Sequence, residues 1–163
     1  MRKKLFIGML MTVASCMTAV AQDDESVPGV ENPAGYGKYI INAPLAPKAI
    51  GPFSQAVEIN GMLFISGQVP LDPVTNKLAG EDITVQTEQV MKNIGSVLKA
   101  AGYDYRDVVK STCFLSDMEN FKAMNAVYGK YYAVDPPARS TVQVVKLPLG
   151  ALIEIETIAI KQK

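Results

Sequence analysis

The chain has 163 residues, with 16 basic and 16 acidic side chains and no histidine. Its length suggests a single domain. The absence of imidazole excludes Ser-His-Asp and Cys-His catalysis in their usual forms. It also removes the commonest metal ligand, and no glycine-rich phosphate loop is present, so neither a metal nor a cofactor is expected.

The first 21 residues have the pattern of a secretory signal peptide. Three basic residues come near the start, an apolar run covers 5–13, and Ala19-Val20-Ala21 supplies a cleavage site. The run is too short for a transmembrane span, which needs about 20 apolar residues. Alternatively, residues 13–16 resemble a bacterial lipobox, in which case Cys16 becomes a lipid-carrying N-terminus and a membrane anchor. Both interpretations predict an exported protein, periplasmic or secreted.

The predicted mature chain is mildly acidic. Removing residues 1–21 takes away three basic residues and no acidic ones, which leaves 13 basic against 16 acidic side chains and a formal charge of −3. Because no basic run remains, nucleic-acid binding is not expected. Residues 22–37 lack periodicity, so a flexible leader is predicted there, and the folded domain is predicted to occupy 38–163. Cys113 is then the only ordinary thiol, so no internal disulfide can form.

A strand, a proline-spaced loop and a β-hairpin are predicted at the start of the domain. A short apolar run at 38–42 predicts the strand, and prolines recur through 43–52. Two further strands are predicted at 56–59 and 62–66. Asn60-Gly61 between them is a strong hairpin signal, because a type I′ turn needs positive φ at both central positions.

Two amphipathic helices follow. From Asp82 onward the apolar residues take helical spacing, and Gly102 ends the pattern. A strand is predicted at 108–115, and Ser116 and Glu119 have the spacing of a capping box that would open the second helix. The apolar side of that helix consists of Phe121, Met124, Tyr128 and Tyr131.

The last two strands are predicted at 139–145 and 152–160, so the element order is β-ββ-α-β-α-ββ. This order indicates an α+β fold, a mixed six-stranded sheet with both helices packed on one face. The last strand has apolar residues on both of its faces. Oligomerisation through the second sheet face is therefore expected.

An arginine and a carboxylate-bearing strand are the first candidate site. Arg139 follows two prolines, and a guanidinium grips a carboxylate with two parallel hydrogen bonds, which a lysine cannot do. The alternative is a surface arginine or a structural ion pair. Glu154 and Glu156 point the same way on their strand. They either lie on a solvated face or include a partly buried carboxylate that exchanges protons near neutral pH.

Other candidates are less specific. Ser66 and Gly67 follow the hairpin, where glycine permits close approach of a ligand to the backbone, although an ordinary strand exit explains them as well. Asn125 is either a ligand-binding amide or a surface amide of the second helix. Cys113 is interpreted as a small buried hydrophobe, since no basic group is available to activate it.

These residues together resemble the RidA family, also called YjgF, the reactive-intermediate deaminases. The resemblance covers about 42–161 and keeps the family's motif order. The matching motifs are Ala46-Pro47-Lys48-Ala49-Ile50-Gly51-Pro52-Phe53-Ser54-Gln55-Ala56-Val57, Ser66-Gly67-Gln68-Val69-Pro70, Asp107-Val108-Val109-Lys110, Asn125-Ala126-Val127-Tyr128, Pro137-Ala138-Arg139-Ser140, and Leu147-Pro148 through Glu154-Ile155-Glu156.

The resemblance implies a chorismate-mutase-like fold and a homotrimer with clefts between subunits. It implies that Arg139 binds the substrate carboxylate and that Glu154 positions water. Ser66, Gly67 and Asn125 match positions that line the cleft. Two further cleft positions depart from many deaminating members: Phe53 replaces a tyrosine and Thr141 replaces a cysteine.

The function implied is cofactor-free hydrolysis of enamines and imines, with 2-aminoacrylate and 2-iminobutanoate as typical substrates and 2-oxo acids plus ammonia as products. A different class of function is also open, a non-catalytic exported trimer that binds small carboxylates or a protein partner. Phe53 and the predicted export favour that alternative. Ribonuclease activity is disfavoured, because the mature chain is acidic and has no histidine.

Overall fold

The computed structural model describes residues 30–31 and 37–161. The predicted signal peptide, with both interpretations of its processing, lies outside the described residues. Within them the strands are β1 (Val30–Glu31), β2 (Lys38–Ile41), β3 (Ala56–Ile59), β4 (Met62–Gln68), β5 (Val108–Leu115), β6 (Ala138–Gln143) and β7 (Ile153–Ile160), and the helices are α1 (Ile83–Ala100) and α2 (Phe121–Tyr131). None of the helices in this part of the chain has the length and apolarity needed to cross a bilayer.

The strands form one mixed sheet in the order β1-β2-β3-β4-β7-β5-β6. The pair β5–β6 is parallel and the other pairs are antiparallel. The predicted α+β architecture is confirmed, with its six strands and two helices in the predicted order. The two-residue strand β1 adds a seventh strand by pairing with the edge strand β2, inside the segment 22–37 for which the sequence predicts no regular structure.

The hairpin between β3 and β4 is confirmed with the predicted turn. Asn60 and Gly61 have φ values of 53° and 73°, the left-handed conformation that a type I′ turn requires at both positions. The turn fixes the register, and Ile59 lies opposite Met62. The strand β4, whose end carries Ser66 and Gly67, lies between β3 and β7 in the middle of the sheet.

The start of α2 differs from the prediction. No capping box joins Ser116 to Glu119: the Ser116 hydroxyl donates to the carbonyl of Leu152 instead. Asp117 is the residue that accepts a hydrogen bond from the Glu119 amide, at the start of a short 3-10 turn over Met118–Asn120 that precedes α2. The reason is that Ser116 remains bound to Leu152, the residue before β7, since its own amide also donates to the Leu152 carbonyl.

Both helices pack on one face of the sheet, and the last strand separates the two faces. On β7 the core side carries Ile153 and Ile155, both fully buried. The other side carries Glu154, Glu156, Ile158 and Ile160. We call this other side the open face, because no helix of the described residues covers it. Apolar side chains are left exposed there, including Phe64 at 41% and Ile160 at 40%.

Candidate functional site

Four of the seven predicted site residues line one cavity, which we call the Glu154 cavity. It has a volume of about 320 Å³ and contains Phe53, Ser66, Gly67 and Glu154 in its wall. Glu154 projects from the open face of β7, and Ser66 and Gly67 lie on the adjacent strand β4. The other lining residues include Lys48, Gln55, Gln68, Val69, Leu71 and Pro148.

Arg139 and Asn125 line a second cavity, which we call the Arg139 cavity. It has a volume of about 280 Å³ and lies between α2 and β6. Pro136 and Pro137, from the loop before β6, also line it. The proline fixes φ and so stiffens the approach to the arginine, as the sequence suggests.

The two cavities lie on opposite faces of the sheet. Arg139 is paired with Ser111 of β5, whose side chain is fully buried toward the helices. Glu154 is paired with Phe114 of the same strand, and successive strand residues point to opposite faces when their positions differ by an odd number. Arg139 is therefore on the helix side and Glu154 on the open face, so one chain does not bring the two residues together.

The Arg139 guanidinium is held by aromatic rings rather than by an acid. Its central carbon lies 4.6 Å from the ring centre of Tyr128 and 5.7 Å from that of Phe121, both on α2. Neither an ion pair nor a side-chain hydrogen bond joins it to the described residues. Cation–π contacts orient a guanidinium and leave its N–H donors available. The interpretation of Arg139 as a structural ion-pair residue is therefore not supported.

Tyr128 was not predicted as a site residue, although a signal for it exists. It lies three positions after Asn125 on a helix, and residues at this spacing share a face. Its hydroxyl and ring are buried against the sheet, and burial raises the pKa of its phenol. Tyr128 is thus a neutral aromatic support beneath Arg139.

Glu154 is partly buried and has an unusual protonation equilibrium. Desolvation raises the pKa of its carboxyl above the ordinary glutamate value of 4.5, and the neighbouring negative charge of Glu156 raises it further. No cation of the described residues lies within ion-pair distance of it. A carboxylate with a raised pKa can take a proton from water more readily than an ordinary glutamate can.

The raised pKa predicts that Glu154 lowers the stability of the fold above its folded-state pKa. Between the ordinary pKa and the raised one, the folded chain binds more protons than the unfolded chain, so stability falls as pH rises. We expect Glu154→Gln to raise the thermal unfolding midpoint at pH 8, and this gain to disappear below pH 4.5. Thermal unfolding of both proteins from pH 4 to 8 measures this. A gain that does not depend on pH would contradict the prediction.

Two buried amides fix the loops around the Glu154 cavity. Gln55 accepts a hydrogen bond from the Ala43 amide at 2.7 Å and donates to the carbonyl of Pro47 at 2.8 Å. Asn93 of α1 donates to the carbonyls of Val69 and Leu71 at 3.1 and 2.9 Å. These amides hold the cavity walls in place, and sequence reasoning assigned no role to them because their partners are distant in the chain.

Thr141 lies on the same side of β6 as Arg139 but lines neither cavity in this chain. It is paired with Cys113 of β5. Burial raises the pKa of the Cys113 thiol to about 11, so the thiol stays protonated. This agrees with the interpretation of Cys113 as a buried hydrophobe. Within the described residues, no three acidic or cysteine side chains are grouped so as to hold a metal ion.

Known proteins resemble this chain over nearly all of its folded part. The family model described as endoribonuclease L-PSP matches residues 43–161. The protein named "Reactive Intermediate Deaminase A, chloroplastic" from Arabidopsis thaliana is 50% identical over 122 residues, which are 75% of this chain. This chain spans 65% of that relative's length.

Two solved structures show the same architecture. RidA from an Antarctic Psychrobacter species is 40% identical, with a TM-score of 0.71 over 74% of this chain and 97% of that one. TdcF from E. coli, solved with bound serine, is 36% identical, with a TM-score of 0.73 over 76% of this chain and 98% of that one. At this level of identity the likeness extends beyond the fold.

Proposed function

Because the chain belongs to the RidA/YjgF family, we propose that it is a cofactor-free deaminase that hydrolyses enamine and imine acids to 2-oxo acids and ammonia. Substrates of the size of 2-aminoacrylate and 2-iminobutanoate fit the proposal. The relative named reactive intermediate deaminase supports the reaction class, and the serine bound to TdcF supports a small amino-acid-like ligand.

The unpaired guanidinium of Arg139 is the observation that carries this proposal. It is half-buried beside Tyr128 and has no acidic partner within the described chain. A charged fork kept partly from water in this way is prepared to bind a planar carboxylate with two parallel hydrogen bonds. The substrate's carboxylate takes the place that a structural acid would otherwise fill.

The chemistry needs only orientation and a proton carrier. An enamine tautomerises to an imine, whose carbon is electrophilic. Glu154 orients water and takes one of its protons as the oxygen adds to that carbon. The proton is then returned to the nitrogen, which gives a carbinolamine. The hydroxyl proton of the carbinolamine follows the same route through Glu154 to the nitrogen as the carbon–nitrogen bond breaks, so the carbonyl forms and ammonia leaves. Water and imine are consumed in equal amounts, and Glu154 ends as a carboxylate.

We propose that a complete site contains Arg139 from one copy and Glu154 from another, in a homotrimer. The opposite placement of the two residues on one sheet supports this, because a side chain cannot reach through the sheet. The exposed apolar side chains Phe64 and Ile160 of the open face also support it, since contact with a second copy would bury them.

Mixing two impaired variants tests the shared site. We expect Arg139→Ala and Glu154→Gln each to lower kcat/KM roughly 100-fold when alone, and co-expressed mixed trimers to recover activity. Each mixed trimer contains one intact pair among its three sites, and about three quarters of randomly assembled trimers are mixed. Random assembly therefore recovers about a quarter of the wild-type rate. Differently tagged copies of one variant, purified in the same way, are the control. Mixed trimers without activity would contradict a shared site.

The reaction itself is tested by generating 2-aminoacrylate or 2-iminobutanoate in situ and following its decay. The protein without residues 1–21 should accelerate decay above the buffer rate, with release of ammonia. Decay at the buffer rate would contradict the deaminase. If small carboxylates still bound in that case, the result would favour the non-catalytic carboxylate-binding trimer, which Phe53 supports because it supplies a ring without a hydroxyl to the Glu154 cavity.

We also propose that the protein acts outside the cytosol, on the basis of the N-terminal pattern of basic, apolar and small residues. Mass spectrometry of the protein from fractionated cells tests this. A mature N-terminus at Gln22, or a lipid on Cys16, in the exported fraction would support export. A full-length cytosolic protein would contradict it.

A further inference from the structure

Gly67 lies in an irregularity of the sheet next to the candidate acid. Ile65 of β4 is opposite Thr157 of β7, and Gln68 is opposite Ile155. Two residues, Ser66 and Gly67, therefore face a stretch of β7 that supplies only one. Such a β-bulge changes the direction of side chains locally and is frequent beside functional sites.

The backbone of Gly67 does not need a glycine. The φ of Gly67 lies outside the left-handed range that the glycines at 61, 80 and 102 occupy, so an alanine would adopt the same backbone conformation. What position 67 lacks is room for a side chain. A Cβ at position 67 would lie 2.8 Å from the Cδ of Glu154 and 3.1 Å from its Cγ, with the Oε1 atom closer still.

Hydrogen bonds prevent the bulge from moving aside. The Ser66 amide donates to the carbonyl of Gln55 at 3.0 Å, and the Ser66 hydroxyl donates to the carbonyl of Ser54 at 2.7 Å. The carbonyl of Ser66 accepts from the side-chain amide of Gln68 at 3.0 Å. A side chain at position 67 would therefore displace the flexible end of Glu154 rather than the strand.

We propose that Gly67 is a positioning residue for Glu154: because position 67 has no side chain, the Glu154 carboxylate packs directly against the backbone there, inside the Glu154 cavity. This proposal rests on the proposed function for its kinetic consequence, because a displaced carboxylate no longer reaches the water that attacks the imine. It differs from the expectation that Gly67 only brings its backbone close to the substrate. In that case an added methyl group would weaken substrate binding without affecting Glu154.

A double-mutant cycle separates the two roles. We expect Gly67→Ala to lower kcat by roughly tenfold or more, as loss of a positioned acid–base group does, with a smaller change in KM. Glu154→Asp retracts the carboxylate by one methylene and lowers kcat by itself. In the double variant the two losses should overlap, with kcat within about twofold of the lower single variant, because both changes act on one group.

Glu88→Asp is the matched control. Glu88 lies on α1, which packs on the other face of the sheet, and it pairs with Lys92 at 3.8 Å. Its effect should therefore multiply with that of Gly67→Ala without overlap. A cycle in which Glu154→Asp also multiplies freely with Gly67→Ala, or a loss confined to KM, would overturn the proposal.

A titration of Glu154 that needs no enzymatic activity tests the positioning role independently of the proposed function. Carboxyl-carbon NMR of Glu154 should show a lower pKa in Gly67→Ala than in wild type, because the displaced carboxylate is better hydrated. An unchanged pKa would overturn the proposal even if the protein proves to be a deaminase. If Gly67→Ala alone does not fold, Glu154→Ala should restore folding to it, and failure to do so would place the clash elsewhere.

Discussion

Replacing Arg139 with alanine is expected to lower kcat/KM for imine hydrolysis by roughly 100-fold. Two charge-assisted hydrogen bonds to the substrate carboxylate are lost, each of about 1.5 kcal/mol or more, and about 1.4 kcal/mol corresponds to a factor of ten. Most of the loss should appear in KM, since the carboxylate is bound before and during the reaction. Steady-state kinetics with an in situ imine source, coupled to detection of ammonia, measures it.

Two further variants define what the loss means. Arg139→Lys keeps the charge but not the planar fork, so only a small part of the activity should return. Arg106→Ala is the matched control, because Arg106 is an exposed arginine that pairs with Asp104 at 2.6 Å. It should behave as wild type. Equal kcat/KM values for Arg139→Ala and wild type would contradict the proposed clamp.

Replacing Glu154 with glutamine is expected to lower kcat by roughly 100-fold or more, the usual contribution of a positioned general base. In the wild type, kcat/KM should fall on the acid side at a pH above the ordinary glutamate pKa, because desolvation and the charge of Glu156 raise the pKa of Glu154. Protonated Glu154 cannot accept a proton from water, so activity is lost as pH falls through that raised pKa.

Glu156→Gln provides the matched control for this assignment. Removing the charge of Glu156 lowers the pKa of Glu154, so the acid limb of the pH profile should move to lower pH while activity near neutral pH is kept. An acid limb that stays in place in Glu156→Gln, or that persists unchanged in Glu154→Gln, would show that another group titrates. Rates from pH 4 to 8 distinguish these results.

Local signals were sufficient for most elements of the fold. The Asn60-Gly61 turn and the helical spacing after Asp82 depend on backbone geometry over a few residues, and both are confirmed. The exception at Ser116 has a cause that is distant in the chain. Its spacing to Glu119 fits a capping box, but the hydrogen bonds of Ser116 to Leu152 hold it in the sheet instead.

The candidate site was predicted residue by residue but not as an arrangement. Strand alternation placed Glu154 and Glu156 on one face, as observed. Alternation relates residues within one strand only, however, so it could not show that Arg139 and Glu154, on different strands, point to opposite sides of the sheet. That follows only from the pairing of β6 and β7 with β5, in which Arg139 lies beside Ser111 and Glu154 beside Phe114.

The sequence by itself determined the class of fold and a chemistry without imidazole, and it named Arg139 and Glu154 as its candidate groups. Only the tertiary structure decided that these groups lie on opposite faces of the sheet, which supports the proposed site shared between copies. It also shows that a side chain at position 67 would meet Glu154. The physical reason is that composition and periodicity are properties of neighbouring residues, whereas the contact of Gly67 with Glu154 joins residues 87 positions apart through the pairing of β4 with β7.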